Sequence, residues 1–80
     1  MEAVGKVTNF FGKVSVAVVE LNGTLKLGDR IMIKGFGTEF EQDVTSMQID
    51  HADIHEAGKG QMIGLKVEGK VKAGDIVYRL

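Results

Sequence analysis

Leu25-Lys26-Leu27-Gly28-Asp29-Arg30-Ile31 is echoed later in the chain by Val71-Lys72-Ala73-Gly74-Asp75-Ile76-Val77. In both stretches an apolar residue and a lysine lead into a Gly-Asp pair, after which a run typical of a strand begins. Glycine supplies a positive φ, and an aspartate side chain accepts hydrogen bonds from nearby backbone N–H groups. The echo therefore predicts two similar corners in one pseudo-symmetric all-β domain.

Short apolar runs rich in valine and isoleucine, separated by most of the eleven glycines, extend this interpretation along the chain. They predict strands at Gly5–Phe11, Lys13–Leu21, Asp29–Lys34, Phe40–Asp50, Gln61–Val67 and Ile76–Arg79. A phase change at Val18–Val19 predicts a β-bulge, and Ala52–Ala57 is the only candidate for a helical turn. Bulged, bent strands favour a small closed antiparallel β-barrel of about six strands.

The predicted strands also define an expected core. Alternation along them indicates that the following side chains are largely buried: Leu25, Leu27, Ile31, Ile33, Ile63, Leu65, Val67 and Ile76.

Bulk composition limits the kind of protein. Eighty residues, 44% of them hydrophobic and 26% charged, predict a single folded domain over residues 1–80. The absence of cysteine excludes disulfides and thiolate metal sites, and together with the lack of a signal-peptide pattern it leads us to expect a cytoplasmic location. No apolar run approaches the roughly 20 residues of a membrane span, so no membrane association is expected.

No pattern of catalytic residues stands out. The chain contains no Gly-x-x-x-x-Gly-Lys-Ser/Thr loop, which predicts that it does not bind GTP by itself. His51, Asp53 and His55 could share one face of a strand, or the two histidines one turn of a helix, but a connection without metal is the preferred interpretation. Gly35-Phe36-Gly37 lacks the rest of a dinucleotide fingerprint and is better read as a hairpin turn. We expect a protein that is not an enzyme and that holds neither cofactor nor metal.

The two corners also carry a resemblance to a family. Gly23–Ile31, Ser46–His51 and Ala57–Gly64 are similar, in order and spacing, to domain II of translation elongation factors. That resemblance implies a barrel of the elongation factor/reductase-isomerase common-domain type. It further implies a non-catalytic binding module that contacts ribosomal or transfer RNA, or a translation-related protein.

The charge distribution suggests where such a partner would bind. Net charge is −1, and residues 38–58 carry six acids and no lysine or arginine, so the fold could separate a basic from an acidic face. One phenylalanine of the pair 10–11 is expected to be exposed, because neighbours on a strand face opposite sides. The candidate RNA or partner contacts are Lys6, Phe10, Phe11, Lys13, Lys59 and Lys70.

Two alternative functions stay open. One is an accessory protein-interaction barrel, like the C-terminal domain of collagenase-like peptidase-family proteins. The other is a subunit of an RNA-modification complex, because Gly5–Val7 and Phe11–Val14 resemble the barrel subunit of archaeal pseudouridylation complexes. Lysines clustered on one face would favour RNA, whereas a contiguous exposed apolar patch would favour a protein partner. The sequence leaves the ligand and the oligomeric state undetermined.

Overall fold

A computed structural model describes all residues from 1 to 80 and contains only β-strands, turns and loops. The strands are β1 Glu2–Phe11, β2 Val16–Leu21, β3 Leu25–Lys26, β4 Arg30–Gly35, β5 Thr38–Asp43, β6 Met47–Ile49, β7 Ala52–Ile54, β8 Glu56–Ala57, β9 Met62–Lys66 and β10 Ile76–Arg79. Every pair is antiparallel. The predicted all-β class is confirmed.

Eight strands form one sheet in the order β5-β4-β10-β1-β2-β9-β6-β7, while β3 and β8 form a separate pair. The outermost strands, β5 and β7, are not paired with each other. The expected closed barrel is therefore not found. The antiparallel strands instead surround a single core cluster of 16 buried apolar residues.

The two Gly-Asp corners have the same local geometry, as the echo predicts. In the first, Gly28 has a φ of +90° and the Lys26 N–H donates to Asp29 Oδ2 at 2.9 Å. In the second, the glycine has a φ of +100° and the Lys72 N–H donates to Asp75 Oδ2, also at 2.9 Å. Each corner is thus stabilised by a carboxylate that accepts from the backbone three residues earlier.

Each corner also holds one buried valine from elsewhere in the chain. The glycine N–H of the first corner donates to the Val44 carbonyl at 2.9 Å, and the Val44 N–H donates to the aspartate carbonyl at 2.8 Å. The second corner makes the same two bonds with Val7, both at 2.8 Å. The pseudo-symmetry predicted from the echo therefore extends to long-range contacts.

A single buried side chain joins β5 to the chain that follows β9. The Gln42 Nε2 donates to the carbonyls of Lys66 at 2.8 Å and Asp43 at 3.2 Å, and its Oε1 accepts from the Glu68 N–H at 2.7 Å. Only 1% of Gln42 is exposed. One amide group thus bridges a gap that a backbone ladder would fill in a closed barrel.

The predicted bulge lies on the neighbouring strand. Val7 pairs with Val19 and Asn9 pairs with Val18, so the extra residue is Thr8 in β1. Strand β2 keeps a regular alternation in which Ala17, Val19 and Leu21 are buried. The phase change in the sequence is misleading because two outward-facing residues of β2, Val16 and Val18, are also apolar.

Three further expectations are wrong in detail. The stretch 52–57 forms β7 and β8, since its backbone pairs with β6 and β3 and is not available for a helical turn. The expected strand 40–50 is interrupted because Val44 pairs with the first corner. Of the expected core, Leu27 is 37% exposed and Ile76 is only half-buried, since each corner shifts the alternation.

Candidate functional site

An open groove lies on the outer face of the sheet, where β2, β9 and β6 run side by side. Its volume is about 610 Å³, within the roughly 300–1,000 Å³ that is usual for ligand sites. Eight residues line it: Phe11, Val14, Val16, Val18, Gln48, Asp50, His51 and Gly64.

The floor of the groove is made by β2 and β9. Val16 and Val18 alternate with the buried residues of β2, so they face outward. Gly64 pairs with Val18 on one side and with Gln48 on the other. Because the glycine has no side chain, a trough is left between these neighbours; a Cβ there would approach Val16 Cγ1 to 3.3 Å.

One bank of the groove is apolar and comes from the end of β1 and the β1–β2 turn. Phe10 packs against the core, whereas Phe11 is 52% exposed and Val14 is 55% exposed. Lys66 borders this bank, and its ammonium donates to the Val14 carbonyl at 2.9 Å. Exposed apolar residues are therefore concentrated at this edge of the groove.

The opposite bank is polar and comes from the β6–β7 hairpin. Its turn residues, Asp50 and His51, have φ values of +52° and +66°. Left-handed backbone at non-glycine residues costs about 1–2 kcal/mol per residue. The third such residue in the chain, Ser15 with φ +55°, lies in the β1–β2 turn across the groove. All three residues with this unfavourable conformation thus belong to the turns that border the groove.

Five lysines lie at one end of the sheet, in the turns or at the strand ends beside them, and one of them, Lys66, also borders the groove. The β9–β10 connection crosses this end: the Val67 N–H donates to the Ser15 carbonyl at 2.9 Å, and the Lys72 ammonium donates to the Phe36 carbonyl at 2.8 Å. The connection thus contacts first the β1–β2 turn and then the β4–β5 turn, where Phe36 is 96% exposed. We call this region the lysine end; its cations are Lys13, Lys34, Lys66, Lys70 and Lys72.

The predicted contact residues are brought together only in part. Lys13 and Lys70 lie at the lysine end, and Phe11 lies next to it in the groove. Lys59 is at the other end of β2, where the neighbouring Gly60 N–H donates to the Leu21 carbonyl at 2.9 Å. Lys6 sits within the sheet opposite Glu20. The six residues do not form one continuous surface.

The acidic segment does not form a separate face. Its β5 acids lie opposite basic residues of β4: Arg30 approaches Glu41 at 3.4 Å and Asp43 at 3.1 Å. The hydrogen bond that Arg30 donates to the Asp43 carboxylate is the main cause that raises the pKa of Arg30. Desolvation opposes this increase, and Glu41 adds a smaller one. Arg30 is positively charged below its raised pKa. Its ion pairs with Glu41 and Asp43 are therefore lost only in strong alkali.

The histidine-bearing stretch shows no metal-binding arrangement. The Asp53 carboxylate accepts a hydrogen bond from Gln48 Nε2 at 3.0 Å. His51 lines the groove, and His55 borders a separate small cleft of about 210 Å³. No three histidine, aspartate or glutamate side chains are grouped closely enough to hold an ion. The structure also contains no helix that could span a bilayer.

Comparison with known proteins identifies relatives of a different kind from those expected. No family model matches the chain. An uncharacterized protease of Methanocaldococcus jannaschii is 49% identical over 78 residues, which cover 96% of this chain and 19% of that protein. A collagenase of Porphyromonas gingivalis is 36% identical over 78 residues, covering 95% of this chain and 22% of that protein. The chain therefore spans about a fifth of the length of these relatives.

A solved structure shows the same fold. The C-terminal domain of a U32 peptidase from Geobacillus thermoleovorans superimposes with a TM-score of 0.92 at 18% identity, covering 98% of this chain and 99% of that one. The resemblance to translation elongation factors is accordingly wrong. Gly-Asp corners and an antiparallel sheet around one core are architectural features that do not depend on a role in translation. The relatives match the alternative of a collagenase-like accessory domain: the chain is similar to one segment of collagenase-like proteins and has the fold of a U32 peptidase C-terminal domain.

Proposed function

We propose that this chain is a non-catalytic accessory domain that binds polypeptide through the groove. The observation that carries the proposal is that the first half of β2, up to Val19, is apolar on both faces although the domain's own core covers only one, and Glu20 is the first polar residue on the outer face. An antiparallel strand with one solvated face normally alternates apolar and polar residues. The valines at positions 16 and 18 break this rule where the sheet has no covering layer.

The similar proteins support polypeptide as the ligand. Those with related sequences are named a protease and a collagenase, and both are about five times as long as this chain. In a protein of this kind, a non-catalytic segment is suited to holding a protein surface or substrate near the rest of the protein. Apolar residues beside hydrogen-bonding groups at the rim are what such a contact requires.

Amide chemical-shift titration of the isotopically labelled chain with gelatin and with reduced casein tests the proposal. We expect shifts concentrated in β2, β9 and the β6–β7 hairpin. Val18→Gln should weaken binding severalfold while leaving the fold intact, because the side chain faces outward. Phe36→Gln is the control, since it removes an exposed apolar residue away from the groove. Absence of binding, or equal loss in both variants, would contradict the proposal.

RNA is a second candidate ligand, favoured by the lysine end. Lys66 and Lys72 donate to carbonyls within the chain, and Lys34 lies opposite Glu39 in the β4–β5 ladder. Lys13 and Lys70 are left to contact phosphates. The exposed Phe36 beside them could stack on a base. RNA binding at the lysine end does not need the groove, and neither does a role in RNA modification. Mutations in the groove and mutations at the lysine end therefore distinguish polypeptide binding from RNA binding. The cytoplasmic location stays a prediction.

A further inference from the structure

We infer that the groove selects a polypeptide segment carrying a cationic side chain, arginine above all, whose charged group lies against Asp50. The inference rests on the proposed function, since it specifies the ligand of the same site. It comes from the charge, shape and backbone conformation of the groove.

The charge of the groove is uneven. The eight lining residues include one carboxylate, Asp50, and no lysine or arginine. The hairpin 47–54 contains a second carboxylate, Asp53, and no lysine or arginine. The ammonium group of Lys66 is on the opposite, apolar bank, where it donates to the Val14 carbonyl. The polar bank therefore attracts a cation and repels a phosphate or carboxylate.

The Asp50 carboxylate is free to accept such a partner. Its neighbour Asp53 already accepts the Gln48 amide, whereas Asp50 makes no hydrogen bond or ion pair with any other side chain. It is exposed at the turn and lines the groove. A charge-assisted bond to a guanidinium would give this carboxylate its missing partner.

The apolar residues suit the rest of an arginine side chain. The floor of Val16, Val18 and Gly64 can receive the three-carbon stem, as alkyl stems of charged residues commonly lie on apolar surface. The exposed ring of Phe11 lines the same groove and adds apolar surface for the neighbouring residues of the segment. Arginine fits better than lysine because its planar group forks onto a carboxylate.

The conformation of the turn holds the carboxylate in place. A two-residue turn with positive φ at both positions is normally occupied by Asn-Gly or a similar pair. Here Asp50 and His51 adopt it, and the ladder pairs Ile49–Ala52 and Gln48–Asp53 hold the hairpin on either side. Strained residues of this kind are typical of ligand sites, where the surrounding structure maintains them.

The test uses three synthetic peptides, acetyl-Leu-Val-X-Val-Leu-amide with arginine, citrulline or glutamate at X, titrated against the labelled 80-residue chain. Citrulline keeps the shape of arginine without its charge. We expect the arginine peptide to bind about tenfold more tightly than the citrulline peptide, the effect of one charge-assisted bond, and the glutamate peptide to bind most weakly.

Asp50→Asn should reduce the affinity for the arginine peptide to that of the citrulline peptide and leave the latter unchanged. Asparagine tolerates left-handed backbone, so the turn is retained. Glu39→Gln on β5 is the control for a general change in charge. Equal affinity for arginine and citrulline, no effect of Asp50→Asn, or no binding of any peptide overturns the inference. If casein still binds through the groove in that case, the proposed function stands; if no polypeptide binds, both fail.

Discussion

The carboxylate of Asp75 lies directly against the α-carbon of Gly35. A Cβ built on this glycine would stand 1.9 Å from Oδ1 and 2.7 Å from Cγ, with the Asp75 α-carbon at 3.2 Å. Because the aspartate is 97% buried and bonded to the second corner, it has little freedom to withdraw. The end of β4 and the second corner are therefore packed together at a site where only glycine fits.

Gly35→Ala should accordingly destabilise the fold by about 1–3 kcal/mol, the usual cost of overpacking. Urea unfolding followed by circular dichroism measures the change. Gly58→Ala is the control, since a Cβ at position 58 meets nothing within 4 Å. Equal stability of the two variants would show that the corner moves aside freely.

The two corners should respond equally to loss of their glycines. Gly28→Ala and Gly74→Ala each place an alanine at positive φ, where the new Cβ has open space around it. The cost is then that of the backbone alone, about 1–2 kcal/mol for each variant. Gly12→Ala, which has no positive φ and an ordinary contact at 3.6 Å, should change stability little. A large difference between the corner variants in thermal unfolding would contradict their equivalence.

Loss of the Gln42 amide should be the most damaging polar substitution. Gln42→Leu leaves the Glu68 N–H and the Lys66 carbonyl without their partner, and unsatisfied buried groups cost about 1–3 kcal/mol each. We expect a loss of about 2–4 kcal/mol in urea unfolding. The exposed Gln61, which accepts one bond from the Gly58 N–H, gives the matched control Gln61→Leu. Similar losses in both variants would mean that the bridge contributes little.

RNA binding at the lysine end should depend on where the lysines lie in the fold as well as on their charge. Fluorescence titration with transfer RNA and ribosomal RNA fragments should show that Lys13→Ala with Lys70→Ala lowers the salt slope by roughly 0.7–0.9 per lost phosphate contact. The pair Lys6→Ala with Lys59→Ala removes the same charge elsewhere and should leave the slope unchanged. No saturable binding below roughly 100 μM would exclude this ligand.

The parts of the fold that the sequence predicts correctly are those set by local chemistry. Both corners depend on a glycine and on an aspartate that binds the backbone three residues earlier, so they are recognisable from the sequence. The errors arise where distant residues decide. Val44 interrupts the expected strand because it bonds to the first corner at Gly28, 16 residues earlier in the chain. Residues 52–57 are extended because they pair with β6 and β3.

The groove was missed for a physical reason that the sequence does contain. The phase change at Val18–Val19 predicts a bulge, whereas Val16 and Val18 make the first half of the outer face of β2 apolar. A valine run on a strand expected to have one wet face is the signal that would have pointed there. The role of Gly64 and the placement of Asp50 could not be predicted, because both depend on which strands lie next to β9.

The amide bridge at Gln42 has a consequence for the motions of the molecule. The Glu68 amide proton is held by a side chain, so one rotation of that side chain would free it for hydrogen exchange with solvent. The Val7 amide proton is held by the Asp75 carbonyl inside the core and needs a much larger opening. Exchange should therefore be far faster at Glu68 than at Val7, since the sheet can part between β5 and the β9–β10 connection while its ladders stay intact.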